Sequence, residues 1–177
     1  MNKDIERILF NEGEISTCVK ELANRINSDY EGKELVVAVI MKGSLVFAAD
    51  LIRNINLPMT VDFMQVSSYG SGSTSGSLVI KRDLEDDISG KHLLIIEDIV
   101  DSGNTLFNLK EHLKGSTAAS VSVCALLSKP DRRETEVEVE YIGRVIPDEF
   151  VVGYGLDYAQ RYRNLPYIGI LKREVYE

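Results

Sequence analysis

The stretch Leu93-Leu94-Ile95-Ile96-Glu97-Asp98-Ile99-Val100-Asp101-Ser102-Gly103-Asn104-Thr105 constrains this chain more than any other. Its opening apolar run is the pattern of a buried strand in a parallel sheet. Two adjacent carboxylates follow where that strand is expected to end, and Asp101 supplies a third. From Thr105 the apolar positions shift to Leu106, Leu109 and Leu113, the spacing of a helix face. The unit therefore reads as strand, acidic edge, small polar turn and helix. In open α/β sheets, ligands bind just outside the carboxyl ends of strands. A turn of small residues opening a helix offers N–H groups and a positive dipole end to an anion. Carboxylates are poor company for a phosphate unless they accept hydrogen bonds from hydroxyls, hold a divalent cation or act as a base. A ribose 5-phosphate satisfies these demands together. By themselves, the same residues also suit a solvated loop with an N-capping Ser or Asn.

A second unit repeats the logic. Leu35–Ile40 is an unbroken apolar run ending in Met41-Lys42-Gly43-Ser44, with an apolar helical stretch over Leu45–Ile52. A third apolar run, Val121–Leu127, ends at Ser128-Lys129-Pro130. Three turns carrying Lys42, Asp101 and Lys129 are thus expected on one edge of one sheet. Ile15, Val19, Leu22 and Ile26 predict an amphipathic helix over residues 13–28. Strands are expected over Pro58–Val66, Leu78–Ile80, Phe150–Val152 and Tyr167–Ile170. The alternating Val and Glu of Glu134–Glu140 predict one more, with a wet face.

These motifs carry a family resemblance. The run Ile-Ile-Glu-Asp-Ile-Val-Asp-Ser-Gly-Asn-Thr resembles the phosphoribosyl-pyrophosphate motif of the type I phosphoribosyltransferases, in the form found in their 6-oxopurine branch. The likeness extends to Met41-Lys42-Gly43, Ser67-Ser68-Tyr69-Gly70, Leu127-Ser128-Lys129 and the segment Pro147–Asp157. It implies an α/β fold, a central and mostly parallel twisted sheet flanked by helices. It also implies a single domain over 1–177, with a core over about 12–130. A small hood follows over about 131–177, joined by the N-terminal residues.

The implied activity is transfer of 5-phosphoribosyl from phosphoribosyl pyrophosphate to N9 of hypoxanthine or guanine. Mg²⁺ is the implied cofactor, and a dimer or tetramer the implied assembly. By the same resemblance Glu97 and Asp98 hold the ribose hydroxyls and lie near a metal, and Asp157 binds a second Mg²⁺ site. Asp101, Ser102, Gly103, Asn104 and Thr105 cradle the 5′-phosphate. Lys42, Gly43 and Arg163 serve the pyrophosphate, and the Met41–Lys42 peptide is expected to be cis. Ile99, Lys129, Phe150, Val151 and Asp157 form the purine site, where Phe150 by itself would read as plain core. Lys129 carries specificity, because an ammonium pairs with a 6-oxo group and is left unpaired against the amino group of adenine. Asp101 is the candidate base, with Glu97 and Asp98 expected to push its pKa upward.

The Ser/Gly segment Ser67–Ser77 reads by composition as a flexible linker, and also as an active-site lid. The resemblance favours a lid led by Ser68 and Tyr69, which would keep water from a cation-like ribose. Gly70, Gly72 and Gly76 lack dinucleotide-fingerprint spacing.

Composition bounds the rest. With 28 acidic against 20 basic residues the chain has a net charge of −8. That argues against a nucleic-acid partner, including a regulator that keeps the motif as a nucleotide sensor. No apolar run approaches the roughly 18–20 residues that span a bilayer. The charged start, Met1–Glu6, has no apolar signal region. Cys18 and Cys124 lie in apolar patterns and read as small core residues in a reduced cytoplasm. His92 and His112 lack metal-ligand spacing. The residues do not rank hypoxanthine, guanine and xanthine.

Overall fold

Two apolar runs sit side by side at the middle of a six-stranded sheet, in a computed structural model that describes residues 2–68 and 78–177. They are β2 (Leu35–Ile40) and β5 (His92–Val100), paired in parallel. Burial on both faces explains their unbroken apolar character. Leu35, Val37 and Val39 enter one core cluster, while Val36, Ala38 and Ile40 enter the other. Along β5, Leu94 and Ile96 alternate with Leu93 and Ile95 in the same way.

The sheet is completed by β3 (Met59–Ser68), β4 (Leu78–Arg82), β6 (Ser120–Ser128) and β7 (Tyr141–Val145), in the order β4-β3-β2-β5-β6-β7. All neighbours are parallel except β3 and β4. Helices α1 (Glu12–Asp29) and α2 (Leu45–Ile52) cover one face, and α3 (Asn104–Leu113) covers the other. Asn11 caps α1 reciprocally: its side chain accepts the Glu14 N–H at 3.0 Å, and Glu14 accepts the Asn11 N–H at 2.8 Å. From β2 the chain winds to β3 on one side, and from β5 it winds to β6 and β7 on the other. The carboxyl ends of β2 and β5 therefore flank a topological switch point, the crevice where ligands bind in open α/β sheets.

A second, antiparallel sheet combines β1 (Ile5–Phe10), β9 (Ile168–Leu171) and β8 (Val151–Val152). A small aromatic cluster supports it, followed by the short helix α4 (Arg173–Tyr176). The main sheet reaches past residue 130 to take in β7, so this second sheet is built from both ends of the chain.

Two local expectations change, and one strand is added that the sequence did not announce. The segment Glu134–Glu140 is not a strand. Ser102 accepts the N–H groups of Glu134 and Thr135 at 2.9 and 3.1 Å, while Val137 and Val139 pack on the core beside α3. Alternation reports an extended chain with one wet face, and that condition needs no partner strand. The strand that does pair with β6 begins at Tyr141. The run Ile5–Phe10 lacks clean alternation and gains its strand only from residues 168–171, far along the chain. Finally, β5 does not end before the acids: the ladder continues through Glu97, Ile99 and Val100, opposite Ala125, Leu127 and Ser128.

Candidate active site

Because β5 carries its ladder through the acids, backbone pairing rather than a loop fixes Glu97 and Asp98. Adjacent strand residues point to opposite faces. Glu97 accordingly lines a cavity of about 80 Å³ with Asp101, Ser102, Gly103 and Thr105 at the start of α3. Asp98 lines a second cavity, of about 220 Å³, on the other face. That cavity is walled by Ile99, Asp101, Lys129, Phe150, Val151, Leu156 and Asp157 as well. Every residue assigned from the sequence to a purine site thus meets around one space. Only Ile99 and Asp101 line both cavities, so a ligand crossing the end of β5 would touch both acids.

The smaller cavity lies at the turn that opens α3, a place whose N–H groups suit an anion. Gly103 has φ of +85° and precedes the first residue of α3. A side chain there would also strike the Thr135 carbonyl and the Arg133 side chain. Glycine is therefore required by both conformation and space. Asn104 is held from outside the turn: it donates to Glu134 at 2.9 Å and accepts from the Thr135 hydroxyl.

The turn after β2 closes the other side of the crevice. The Met41–Lys42 peptide is cis, as expected. Gly43 lies so near the Asp98 carboxylate that a Cβ would overlap it, and a Cβ on Gly155 would overlap the Gly43 carbonyl as well. Lys42 does not line the 220 Å³ cavity. Its ammonium reaches the Gln160 side chain at 3.4 Å, and the Arg163 guanidinium reaches the same oxygen at 3.3 Å. Arg163 also pairs with Asp157 at 2.7 Å and donates to the Gly155 carbonyl at 2.7 Å. Lys42 and Arg163 are thereby gathered at one end of the crevice. The loop that gathers them holds Tyr154, Ala159, Gln160 and Tyr162 at positive φ. Such backbone clusters at binding sites.

Burial pushes the Glu97 carboxyl well above its ordinary range, and the neighbouring Asp98 charge adds to this. Burial likewise raises Asp98 to about 6, against the downward pull of the Ile99 N–H and the Arg163 guanidinium. The group beside Asp101 is a cation instead: Arg132 Nε stands 3.0 Å from its Oδ1. The alignment is ionic rather than that of a hydrogen bond, and this buried oxygen accepts none. The expected crowding by carboxylates falls on Glu97 and Asp98.

At the 220 Å³ cavity, the Lys129 N–H donates to the Val100 carbonyl at 2.9 Å, and its side chain is 8% exposed. Its ammonium is 3.8 Å from Asp148. Phe150 stacks on Tyr176 with ring centroids 4.7 Å apart and meets the edge of Tyr158. Ser68 closes β3, and Tyr69 lies outside the described residues.

Sequence reasoning missed Arg132, Asp148, Gln160 and the Glu134–Thr135 clasp. The Lys-Pro-Asp-Arg-Arg run, three residues of which are cationic, was the available signal for Arg132. No spacing links Asp148 to Lys129 or Gln160 to Lys42.

Among the described residues, no group of three or more His, Cys, Asp or Glu side chains is set to hold a metal. Asp98 and Asp157 line one cavity and Glu97 the other. One or two carboxylates are enough for an ion such as Mg²⁺, which keeps several waters and shares its coordination with substrate phosphates.

The profile of the phosphoribosyl transferase domain family matches residues 8–159. A hypoxanthine-guanine phosphoribosyltransferase from Streptococcus pneumoniae is 47% identical over 177 residues, covering 99% of this chain and 98% of that protein. A crystal structure of a hypoxanthine phosphoribosyltransferase from Staphylococcus aureus superposes with a TM-score of 0.94. The two are 48% identical, with 98% of this chain and 95% of that one covered. A Trypanosoma cruzi hypoxanthine phosphoribosyltransferase in a ternary substrates complex is similar too. Its TM-score is 0.94 at 40% identity, covering 99% of this chain and all of that one.

Proposed function

Since this chain belongs to the phosphoribosyl transferase domain family, we propose that it moves 5-phosphoribosyl from phosphoribosyl pyrophosphate to N9 of hypoxanthine and guanine, a purine-salvage reaction. The observation that carries this reading is the single cavity shared by Asp98, Asp101, Lys129, Phe150 and Asp157, with the anion turn directly across β5. The C1–O bond to pyrophosphate breaks as the C1–N9 bond forms, and the proton leaving the purine passes to Asp101.

The phosphate sits on the N–H groups of Ser102–Thr105, where the helix start favours an anion. The ribose lies over the end of β5, its hydroxyls donating to Glu97 and Asp98. Ile99 and Phe150 bracket the purine plane, and Val151 offers backbone groups to its edge. Lys129 donates to the 6-oxo group. With adenine the same ammonium would face an amino group, leaving a buried charge without an acceptor. At the far end, Lys42, Gly43 and Arg163 receive pyrophosphate; the planar guanidinium suits its oxygens.

Mg²⁺ would neutralise charge on the departing pyrophosphate, held by Asp157 and, through water, near Glu97 and Asp98. Asp157 is engaged by Arg163 here, so binding the ion requires that pair to open. Ser68 and Tyr69 are assigned to a lid over the reacting carbon. We place the core at about 12–130 and the hood at about 131–177 with the N-terminal residues; the separate antiparallel sheet supports the hood, while β7 within that range joins the main sheet. The enzyme is assigned to the cytoplasm as a homo-oligomer; two buried free cysteines suit a reducing compartment. No helix among the described residues is long and apolar enough to cross a membrane.

The test is a panel of hypoxanthine, guanine, xanthine and adenine with phosphoribosyl pyrophosphate and Mg²⁺, run on the wild type and Asp101→Asn. Pyrophosphate release is expected with the first two bases. The variant should lose roughly 10²–10⁴ in kcat with substrate affinity retained. Absence of turnover with every base refutes the reading, and near-wild-type kcat in the variant removes Asp101 from the mechanism.

A further inference from the structure

A buried cation needs a partner, and among the described residues Lys129 has one carboxylate within ion-pair distance. Its side chain is 8% exposed, and among the described residues the one ion pair it makes is with Asp148, at 3.8 Å. Asp148 is itself 53% exposed and reaches the cavity through Lys129, which lines it. It does not face Lys129 alone. Arg132 Nη1 lies 3.5 Å from the same Asp148 oxygen, and Arg132 Nε lies 3.0 Å from Asp101. Four charged groups therefore run in sequence, Lys129, Asp148, Arg132 and Asp101, and the two at the ends of the row line the cavity.

We propose that Asp148 is a positioning residue for base recognition: its carboxylate aims the Lys129 ammonium at the edge of the purine and, by holding Arg132, keeps Asp101 in line with the same plane. This rests on the function proposed above.

Two features favour a positioning role over a surface ion pair. First, the separation of 3.8 Å is long for a charge-assisted hydrogen bond, which closes at about 2.7–2.9 Å. The ammonium is thus held by charge while its N–H donors stay free for a 6-oxo oxygen. Second, the strand end fixes the other end of the lysine, through the Lys129 N–H and the Val100 carbonyl. With both ends set, the cation has little room to follow a base lacking the oxo acceptor. Remove the carboxylate, and the ammonium is left buried without its counter-ion. It then turns toward the remaining acids of the cavity, Asp98, Asp101 and Asp157, away from the purine edge. Base affinity and discrimination against adenine should fall together, while the pyrophosphate end of the crevice is untouched.

The experiment compares wild type, Asp148→Asn and Asp148→Glu by steady-state kinetics with hypoxanthine, adenine and phosphoribosyl pyrophosphate, alongside thermal melting. For Asp148→Asn, KM for hypoxanthine should rise about tenfold or more, as for loss of a specificity contact. Its KM for phosphoribosyl pyrophosphate should stay within about twofold, the signature of a change confined to base binding. The ratio of kcat/KM for hypoxanthine over adenine should drop, and Asp148→Glu should recover part of both losses. The proposal is overturned if the hypoxanthine KM and the base ratio are unchanged. It is equally overturned if both substrates' KM values rise together with a lowered Tm, which would mark Asp148 as merely structural. A wild type inactive on hypoxanthine would instead sink the proposed function, so the two failures are distinguishable.

Discussion

Gly155 is the point where the loop bearing Asp157 presses on the turn bearing Lys42, and Gly155→Ala tests whether that contact holds the crevice together. The residue is buried with φ of +101°, a conformation that L side chains rarely adopt. Holding a non-glycine residue in such a region costs about 1–3 kcal/mol. The added methyl also has nowhere to go. A Cβ built on Gly155 would lie 2.1 Å from the Gly43 carbonyl oxygen and 3.3 Å from its carbon, both backbone atoms that cannot rotate away. Relief therefore demands a backbone shift in the Met41–Ser44 turn, and overpacking of this kind typically costs about 1–3 kcal/mol more. The combined penalty is about 2–6 kcal/mol, and for a chain of this length about 2–4 °C of Tm follows from each kcal/mol. Thermal melting should therefore show a fall of at least about 4 °C. Displacing Lys42 and Gly43 should also raise KM for phosphoribosyl pyrophosphate more than KM for hypoxanthine. A Tm within about 2 °C of wild type, with an unchanged KM for the donor, would show that the two loops are not wedged together.

Two further outcomes follow from the buried acids. Burial raises the Asp98 carboxyl to about 6 in the folded chain, against about 3.9 unfolded. A raised carboxyl stabilises the fold only while protonated, so the ligand-free protein loses stability as pH climbs from about 4 to 6, by of order 2–3 kcal/mol. Asp98→Asn should melt above wild type at pH 7 and level with it at pH 4; a difference that does not vary with pH would contradict this. Asp62 behaves oppositely: burial would raise its carboxyl, but N–H groups of Phe63, Glu85 and Asp86, with Arg82, hold it below its usual value. Its stabilisation is present above about pH 4 and vanishes as pH falls through the folded value. Asp62→Ala should cost about 1–3 kcal/mol at pH 7 by stranding those N–H groups, with the two melting curves converging in acid; equal Tm at pH 7 would refute it.

The sequence by itself determined the sheet's centre and the chemistry along its edge. The residues 35–40 and 93–96 can be so uniformly apolar only if both faces are covered, and the turns that follow carry the functional side chains as local features. A strand, a turn and a helix start are decided within about a dozen residues, which is why Lys42, Asp101 and Lys129 could be placed on one edge in advance. What the tertiary structure alone decided is which charges face one another. Arg132 beside Asp101, Asp148 beside Lys129 and Gln160 between Lys42 and Arg163 are contacts between elements, and hydrophobic periodicity carries no trace of them. The same holds for the ends of the chain, where Ile5–Phe10 is a strand only because Ile168–Leu171 lies beside it. The segment Glu134–Glu140 shows the converse: its alternation was real, but Ser102 and α3 took the contacts that a neighbouring strand would have used. Local pattern specifies what a segment can be, and the partner it meets in space selects among those possibilities.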